Sequence, residues 1–421
     1  MDTFLYNSFL DILKEELVPA MGCTEPIAVA YAAALARDTL GKMPSKTELI
    51  VSGNIIKNVK SVVVPNTGGR KGLRTAVAAG LCFGKAEKEL EVIADGSEDD
   101  LKALDAYLQT ADISLKEADS DQPFDLAVQL TAGDSNSYVH IVSHHTNVVC
   151  IRKNDEVLFE KPYSAATIQA PENRSLLTVE RIVEFADCVD IEDVRPILQR
   201  QIDYNLAIAR EGLTGDYGAS IGKILILSYG NSVHNRAKAW AAAGSDARMD
   251  GCEMPVVINS GSGNQGLTAS VPVIIYAQEC SVSDALLFRA LVISNLVTIH
   301  LKTGIGSLSA YCGATSAGAG AGAGICYLYG GRYEQIAHTI VNALAINSGM
   351  ICDGAKASCA AKIASAVEAG LLGMRMYMHD SQFYGGDGIV VTTPAAAPCW
   401  MGPFRRILLS YPGVRSAAIW P

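Results

Sequence analysis

Phe124–Lys161, FDLAVQLTAGDSNSYVHIVSHHTNVVCIRKNDEVLFEK, decides how the chain is divided. Its β-branched and apolar runs are short and broken by Gly, Asp, Asn and Ser, which is the pattern of strands joined by turns. YVHIVSHHTNVVCIRKNDEVLFEK predicts a hairpin turning at Lys153–Asp155. ELIVSG, VKSVVVP and LEVIAD, upstream of it, predict further strands. Helical spacing interrupts them at Arg74–Leu81 and Glu98–Leu108.

On either side of this region the pattern changes. Residues 1–41 predict two helices separated by PAMGCTEP, the second starting near Thr24 or Glu25 because Pro26 suits a first helical turn. That places Cys23 at a helix N-terminus. From Thr178 onward the spacing is helical over Val179–Asp187, Ile191–Glu211, Asp284–Leu301, Tyr333–Ile346 and Ala355–Leu372, with Gly-rich loops at Gly212–Gly222 and Asn259–Gly266. The expected fold class is α+β. N-terminal helices (1–44) pack with a catalytic domain, a small α+β domain (45–170) is inserted after them, a mostly helical catalytic domain follows (171–390), and an irregular tail closes the chain (391–421).

The 421 residues are 49% hydrophobic and 19% charged, enough for large cores in two or three domains. A net charge of −10 with no basic run argues against nucleic acid as a partner. The N-terminus lacks the basic and apolar regions of a signal peptide. Mean hydropathy is +0.20, and the best membrane candidate, Leu301–Tyr329, is dominated by Gly, Ala and Ser, which suits close packing in a helical core better than a bilayer. Eleven cysteines without an export signal point to a reducing, cytoplasmic setting. Cys82, Cys150, Cys188, Cys280 and Cys326 lie in apolar patterns and read as inert thiols.

Three other cysteines stand apart. Cys312 in SAYCGATSAG and Cys352 and Cys359 in GMICDGAKASC are separated by 40 and 7 residues. Structural zinc wants a fourth protein ligand, and none is nearby. Three thiolates with one open position suit an iron–sulfur cluster; on spacing alone, three free buried thiols remain the alternative. Cys23, at a helix N-terminus, gains a stabilised thiolate and can serve as base or nucleophile, or else is a small residue at a tight helix entry. The loop Asn259-Ser-Gly-Ser-Gly-Asn-Gln-Gly266 offers amides and the side chains of Ser260, Ser262, Asn264 and Gln265 to a small anion, yet lacks P-loop and Rossmann spacing. Val64–Arg70 offers Asn66, Thr67, Gly68 and Arg70 in the same way, or is only a strand-to-helix turn. His144–His145 falls in an expected strand and reads as structural. Lys356 is a conceivable pyridoxal-phosphate lysine, though no phosphate cup accompanies it.

MGCTEP, NSGSGNQG, CGATSAG and GMICDGAKASC, in that order, resemble the L-cysteine desulfidase family, which is related to the alpha portion of iron–sulfur L-serine dehydratases. The resemblance covers roughly residues 5–390. It implies a [4Fe-4S] lyase without pyridoxal phosphate. Cys312, Cys352 and Cys359 would ligate one iron each, and Cys23 would be the base that removes the α-proton of L-cysteine. Asn66–Gly69 and Asn259–Gln265 would hold the substrate carboxylate and amine. L-Serine is the alternative substrate, and a cluster-bearing or thiol redox sensor of the same fold the alternative role. The apolar helical half leaves room for a homodimer interface. The tail after Val391 departs from the charged helical end usual in the family.

Overall fold

A computed structural model describes residues 1–163, 172–306 and 308–390; the tail expected from 391 lies outside the described residues. Helix α1 (Thr3–Glu16) is capped by Asp2, whose carboxylate accepts from the Leu5 N–H at 2.8 Å, and it buries Phe9, Leu10, Ile12 and Leu13. A short strand β1 (Pro19–Met21) leads into α2 (Thr24–Leu40), whose N-cap is Cys23. Almost every residue of α2 is buried. Its alanines allow this, because they let neighbouring backbones come close: a Cβ on Gly80 would stand 2.2 Å from the Ala30 carbonyl oxygen.

The second region comprises β2 (Lys46–Val51), α3 (Gly53–Val59), α4 (Gly72–Phe83), α5 (Glu98–Thr110), β3 (Asp112–Glu117), β4 (Asp125–Ala132), β5 (Ser135–Val142), β6 (Val148–Lys153) and β7 (Glu156–Glu160). The strands form one six-stranded sheet in the order β3-β2-β4-β5-β6-β7, parallel between β2 and β3 and antiparallel elsewhere. Helix α2 lies against β4, β5 and α4, while α1 lies against the helices Ile191–Thr214 and Asp284–Ile305. The two N-terminal helices, expected to share one neighbour, thus serve different layers.

Several sequence expectations change here. The predicted hairpin is three strands with two turns, so His144 and His145 sit in the turn between β5 and β6 and not in a strand. VKSVVVP is the end of α3 and a loop, and LEVIAD is a 3-10 turn that buries Leu90, Val92 and Ile93 without joining a ladder. Asp112–Glu117 does form a strand, because β2 offers it a free parallel edge despite its charged composition.

The third region holds α6 (Val179–Cys188), α7 (Ile191–Thr214), α8 (Ile221–Tyr229), α9 (Val233–Met249), β8 (Pro255–Val257), α10 (Gly263–Glu279), α11 (Asp284–Ile305), α12 (Gly313–Leu328), α13 (Tyr333–Ile346) and α14 (Ser358–Met378). Tyr333–Ile346 has the predicted bounds; α9 and α10 were not legible because their Ala- and Gly-containing faces are buried nearly all round, and α8, which buries Gly222 alone, shows no buried stripe. The GAGAGAG stretch is the contact surface of α12. A Cβ on Gly318 would lie 2.2 Å from the Ala366 carbonyl oxygen of α14, and one on Gly320 would lie 2.3 Å from Thr298 Oγ1 of α11. The membrane candidate Leu301–Tyr329 is broken into the end of α11 and all of α12. Helix α11, with a mean hydropathy of 1.5, is long and apolar enough to span a bilayer, but 72% of that window is buried inside the molecule.

β1 pairs antiparallel with β8, Pro19 opposite Val257 and Met21 opposite Pro255. This two-stranded link carries the N-terminal segment to the helical half. It sets Cys23 beside the turn that precedes α10.

Candidate active site

Four helix N-termini converge on one cavity of about 350 Å³. They are those of α2, α10, α12 and α14, with Cys23, Ser262, Cys312 and Ala357 as N-caps. None of the four side chains caps a backbone N–H of its own helix. The positive ends of four helix dipoles therefore gather at the cavity, and together they favour anionic occupants.

One wall of the cavity carries the three spaced cysteines. Tyr311 and Ile351 pair in an isolated antiparallel bridge; the Cys312 N–H donates to the Met350 carbonyl at 3.1 Å and the Cys352 N–H to the Ala310 carbonyl at 2.8 Å. This bridge places residues 40 apart side by side. Cys359 enters from the first turn of α14. Gly354 lets the connecting loop turn with φ +98°, where a Cβ would lie 2.6 Å from the Lys57 carbonyl oxygen. All three are free and partly exposed to the cavity. Burial pushes the Cys312 thiol up to about 11 and raises Cys359, and the Cys352 charge raises both further. Cations stand close: Lys302 is brought down to about 8 by burial, with the charges of Cys352 and Cys312 opposing that shift.

Among the described residues no three His, Cys, Asp or Glu side chains gather tightly enough to hold a single metal ion. A cluster makes a different demand, since it spreads its thiolates over separate irons. Three soft donors on one wall of a cavity, with no histidine or carboxylate among them, fit that demand.

The opposite wall is polar. Cys23 is 2% exposed, and its Sγ donates to Glu25 Oε2 at 3.0 Å. Asn58 Nδ2 donates to Glu25 Oε1 at 2.9 Å, and the Thr24 hydroxyl reaches across to the Gly261 carbonyl at 2.9 Å. The expected lowering of the Cys23 pKa is not found. Desolvation and the adjacent Glu25 charge raise it well above the ordinary thiol value, outweighing the helix N-terminus. For Glu25, burial works upward, but His145 and the hydrogen bonds from Cys23 and Asn58 leave it below its usual value. The resting pair is therefore thiol and carboxylate. His145, read from the sequence as structural, lines the cavity with its ring edge-on to Phe124 at 4.8 Å. Arg248, 2% exposed near the end of α9, lines it too, donating from Nη1 to Asn264 Oδ1 at 3.1 Å.

The predicted substrate residues divide. Ser260, Ser262, Asn264 and Gln265 line the cavity. Their segment is a tight turn, with the Asn259 and Ser262 N–H and C=O groups exchanging hydrogen bonds at 3.1 Å. Asn259 does not line it: fully buried, it bonds Asn295 Oδ1 at 2.9 Å and ties the turn to α11. Asn66, Thr67 and Gly68 do not line it either. The Asn66 amide donates to the Ile93 and Ala94 carbonyls, the Thr67 hydroxyl donates to the Val64 carbonyl, and Gly68 supplies a turn at φ +64°. Arg70 bonds Asp105 and the Thr67 carbonyl. The loop spends its polar groups on itself and braces Pro65 against Gly22, where a Cβ would meet the ring at 2.2 Å. Lys356 pairs with Asp353 at 3.3 Å and is also away from the cavity lining.

Glu25, Asn58, His145, Arg248 and Lys302 were not found by motif. Glu25 left a trace, a carboxylate two residues after Cys23 at the start of an otherwise apolar helix, and Arg248 another, a lone guanidinium among small residues. Asn58 and Lys302 left none.

Residues 87–396 match the family described as serine dehydratase alpha chain. A UPF0597 protein of Desulfitobacterium hafniense is 58% identical over 385 residues, covering 91% of this chain and 90% of the relative. A UPF0597 protein of Lachnoclostridium phytofermentans is 51% identical, covering 92% and 93% of the two chains. One from Treponema denticola is 48% identical, covering 93% and 92%.

Proposed function

The chain belongs to the serine dehydratase alpha chain family, whose members are dehydratase-type lyases, and from that premise we propose that it catalyses β-elimination of a small amino acid, L-cysteine to pyruvate, ammonia and hydrogen sulfide. L-Serine is the second substrate to consider. The family is generally iron–sulfur associated. Cys312, Cys352 and Cys359 would hold a [4Fe-4S] cluster, which when bound supplies a Lewis-acidic iron with an exchangeable position.

The observation that carries the reading is the buried Cys23–Glu25 pair facing the three thiols across one cavity. The α-proton of an amino acid is weakly acidic, so its removal needs a strong, positioned base. Passing the Cys23 proton to Glu25 leaves a thiolate at the N-terminus of α2, where the positive end of the helix dipole stabilises it. The thiolate takes the α-proton: the Cα–H bond breaks and an S–H bond forms. The Cα electron pair expels the β-substituent, and the proton held on Glu25 goes to the departing hydrosulfide. The remaining aminoacrylate becomes an imine and adds water to give pyruvate and ammonia. Ser260, Ser262 and the first turn of α10 hold the substrate. L-Cysteine is preferred over L-serine because hydrosulfide leaves more readily than hydroxide.

The test is preparation without oxygen, quantification of iron and sulfide, and pyruvate release from L-cysteine and L-serine. About four irons per chain and faster pyruvate release from L-cysteine are expected. Iron-loaded protein that releases pyruvate from neither would end the reading.

A further inference from the structure

Arg248 is a buried cation: burial disfavours its charge, and the nearby Cys23, Glu25 and Cys359 only partly offset this. Among the described residues no carboxylate lies at ion-pair distance from its guanidinium, and its Nε is buried with no hydrogen-bond partner. Burying a guanidinium with an unpartnered Nε is costly, and an anion bound in the cavity would offset that cost. Its surroundings narrow the choice. A Cβ on Gly263 would stand 2.4 Å from Arg248 Nε, so the guanidinium is packed directly on the first turn of α10. Gln265, 5% exposed and in that turn, has a buried Oε1 with no partner. Asn264 fixes the guanidinium through Nη1.

We propose that Arg248, with the uncapped N-terminal turn of α10 and the Gln265 side chain, forms the pocket for the α-carboxylate of small α-amino and α-oxo monocarboxylates. This rests on the lyase reading above and adds the residue that selects the substrate class. A guanidinium presents donors in a planar fork that matches a carboxylate, and the helix terminus adds N–H groups to the same oxygens. The unpartnered Gln265 carbonyl oxygen is an acceptor set beside the pocket, suited to the substrate ammonium. A second carboxylate on the ligand would share the cavity with the Glu25 carboxylate, so dicarboxylic amino acids are disfavoured. Cys359 also feels the Arg248 charge, which makes the cluster thiolates the rival anion.

The experiment is calorimetric titration of the anaerobically prepared, iron-loaded protein with L-alanine, pyruvate and L-alaninamide, with iron and sulfide measured on every preparation. L-Alanine has no β-substituent to lose, so binding is read without turnover. Wild type should bind L-alanine and pyruvate and not the amide. Arg248→Met should weaken both carboxylates by about 10- to 100-fold with iron unchanged, and Arg248→Lys, which keeps the charge and is the fallback if the Met variant does not fold, should lose less. Equal binding of L-alanine and L-alaninamide, or unchanged affinity in Arg248→Met, overturns the proposal. So does loss of iron from both variants, which would assign Arg248 to the cluster. Carboxylate-dependent binding without any pyruvate from L-cysteine or L-serine would uphold this pocket while ending the lyase reading.

Discussion

The two walls of the cavity are built on opposite principles. The thiol wall comes from two motifs, and its cysteines are partly exposed, with Cys359 Sγ at 3.7 Å from the Gly354 carbonyl. The polar wall draws Cys23, Glu25, Asn58, His145 and Arg248 from four separated stretches, and Cys23, Glu25, Asn58 and Arg248 are buried. Three of them, Asn58, His145 and Arg248, keep a buried polar atom without a protein partner, as Gln265 does. The contrast teaches which wall is poised for which job. Unencumbered soft donors suit a resident cluster, and a pre-organised, incompletely satisfied polar wall suits a ligand that comes and goes.

Substitutions can break this division. The largest effect belongs to the thiol wall: Cys352→Ala should drop iron content and take pyruvate release below detection, while the polar wall keeps its fold by circular dichroism. Retained iron and turnover would remove the thiol wall from the account. Next is Cys23→Ala, expected to lower kcat about 10²- to 10⁴-fold with iron content unchanged. Full activity in that variant would deny Cys23 the proton-transfer role.

Glu25→Gln should cost less, about 10²-fold in kcat, since the amide still hydrogen-bonds but cannot take the proton. It also has a signature in stability. Because Glu25 is held below its usual value, it stabilises the fold above its unfolded pKa of about 4.3, and that contribution is lost as pH falls through its native value. Denaturant titrations between neutral and acid pH should therefore show a shallower acid loss for Glu25→Gln than for wild type. Identical slopes would mean that Glu25 is not the ionised partner. The smallest effect is expected at Asn66→Ala, which removes two hydrogen bonds to the Ile93–Ala94 backbone: roughly 1–2 kcal/mol of stability and no change in KM for L-cysteine. A raised KM would return that loop to the site.

The same contrast explains what could be read before the structure. The α+β division and the long helices α7, α11 and α13 were legible because periodicity reports directly on burial along one element. The three cysteines could be singled out because they lie in two short Gly-, Ala- and Ser-rich motifs, although spacing alone left free buried thiols as the alternative; the structure puts them on one cavity. The polar wall was not, because its geometry is made by tertiary pairing: β1 on β8 brings Cys23 to the turn before α10, and the β5–β6 turn delivers His145. Asn66 and Thr67 misled for a related reason. A Gly-rich turn with amide and hydroxyl side chains looks alike whether those groups serve a ligand or their own backbone, and here they bond the carbonyls of Ile93, Ala94 and Val64. The Cys23 pKa went the other way because a helix N-terminus is visible in sequence and complete desolvation beside Glu25 is not.

The most direct test of the whole account is a single incubation of the anaerobically prepared, iron-loaded chain with L-cysteine, following pyruvate and sulfide together. The two walls acting on one substrate predict that both products appear in equal amounts and that Cys23→Ala, with its iron intact, nearly abolishes both. Sulfide release without pyruvate, or no release of either from fully loaded protein, would contradict it.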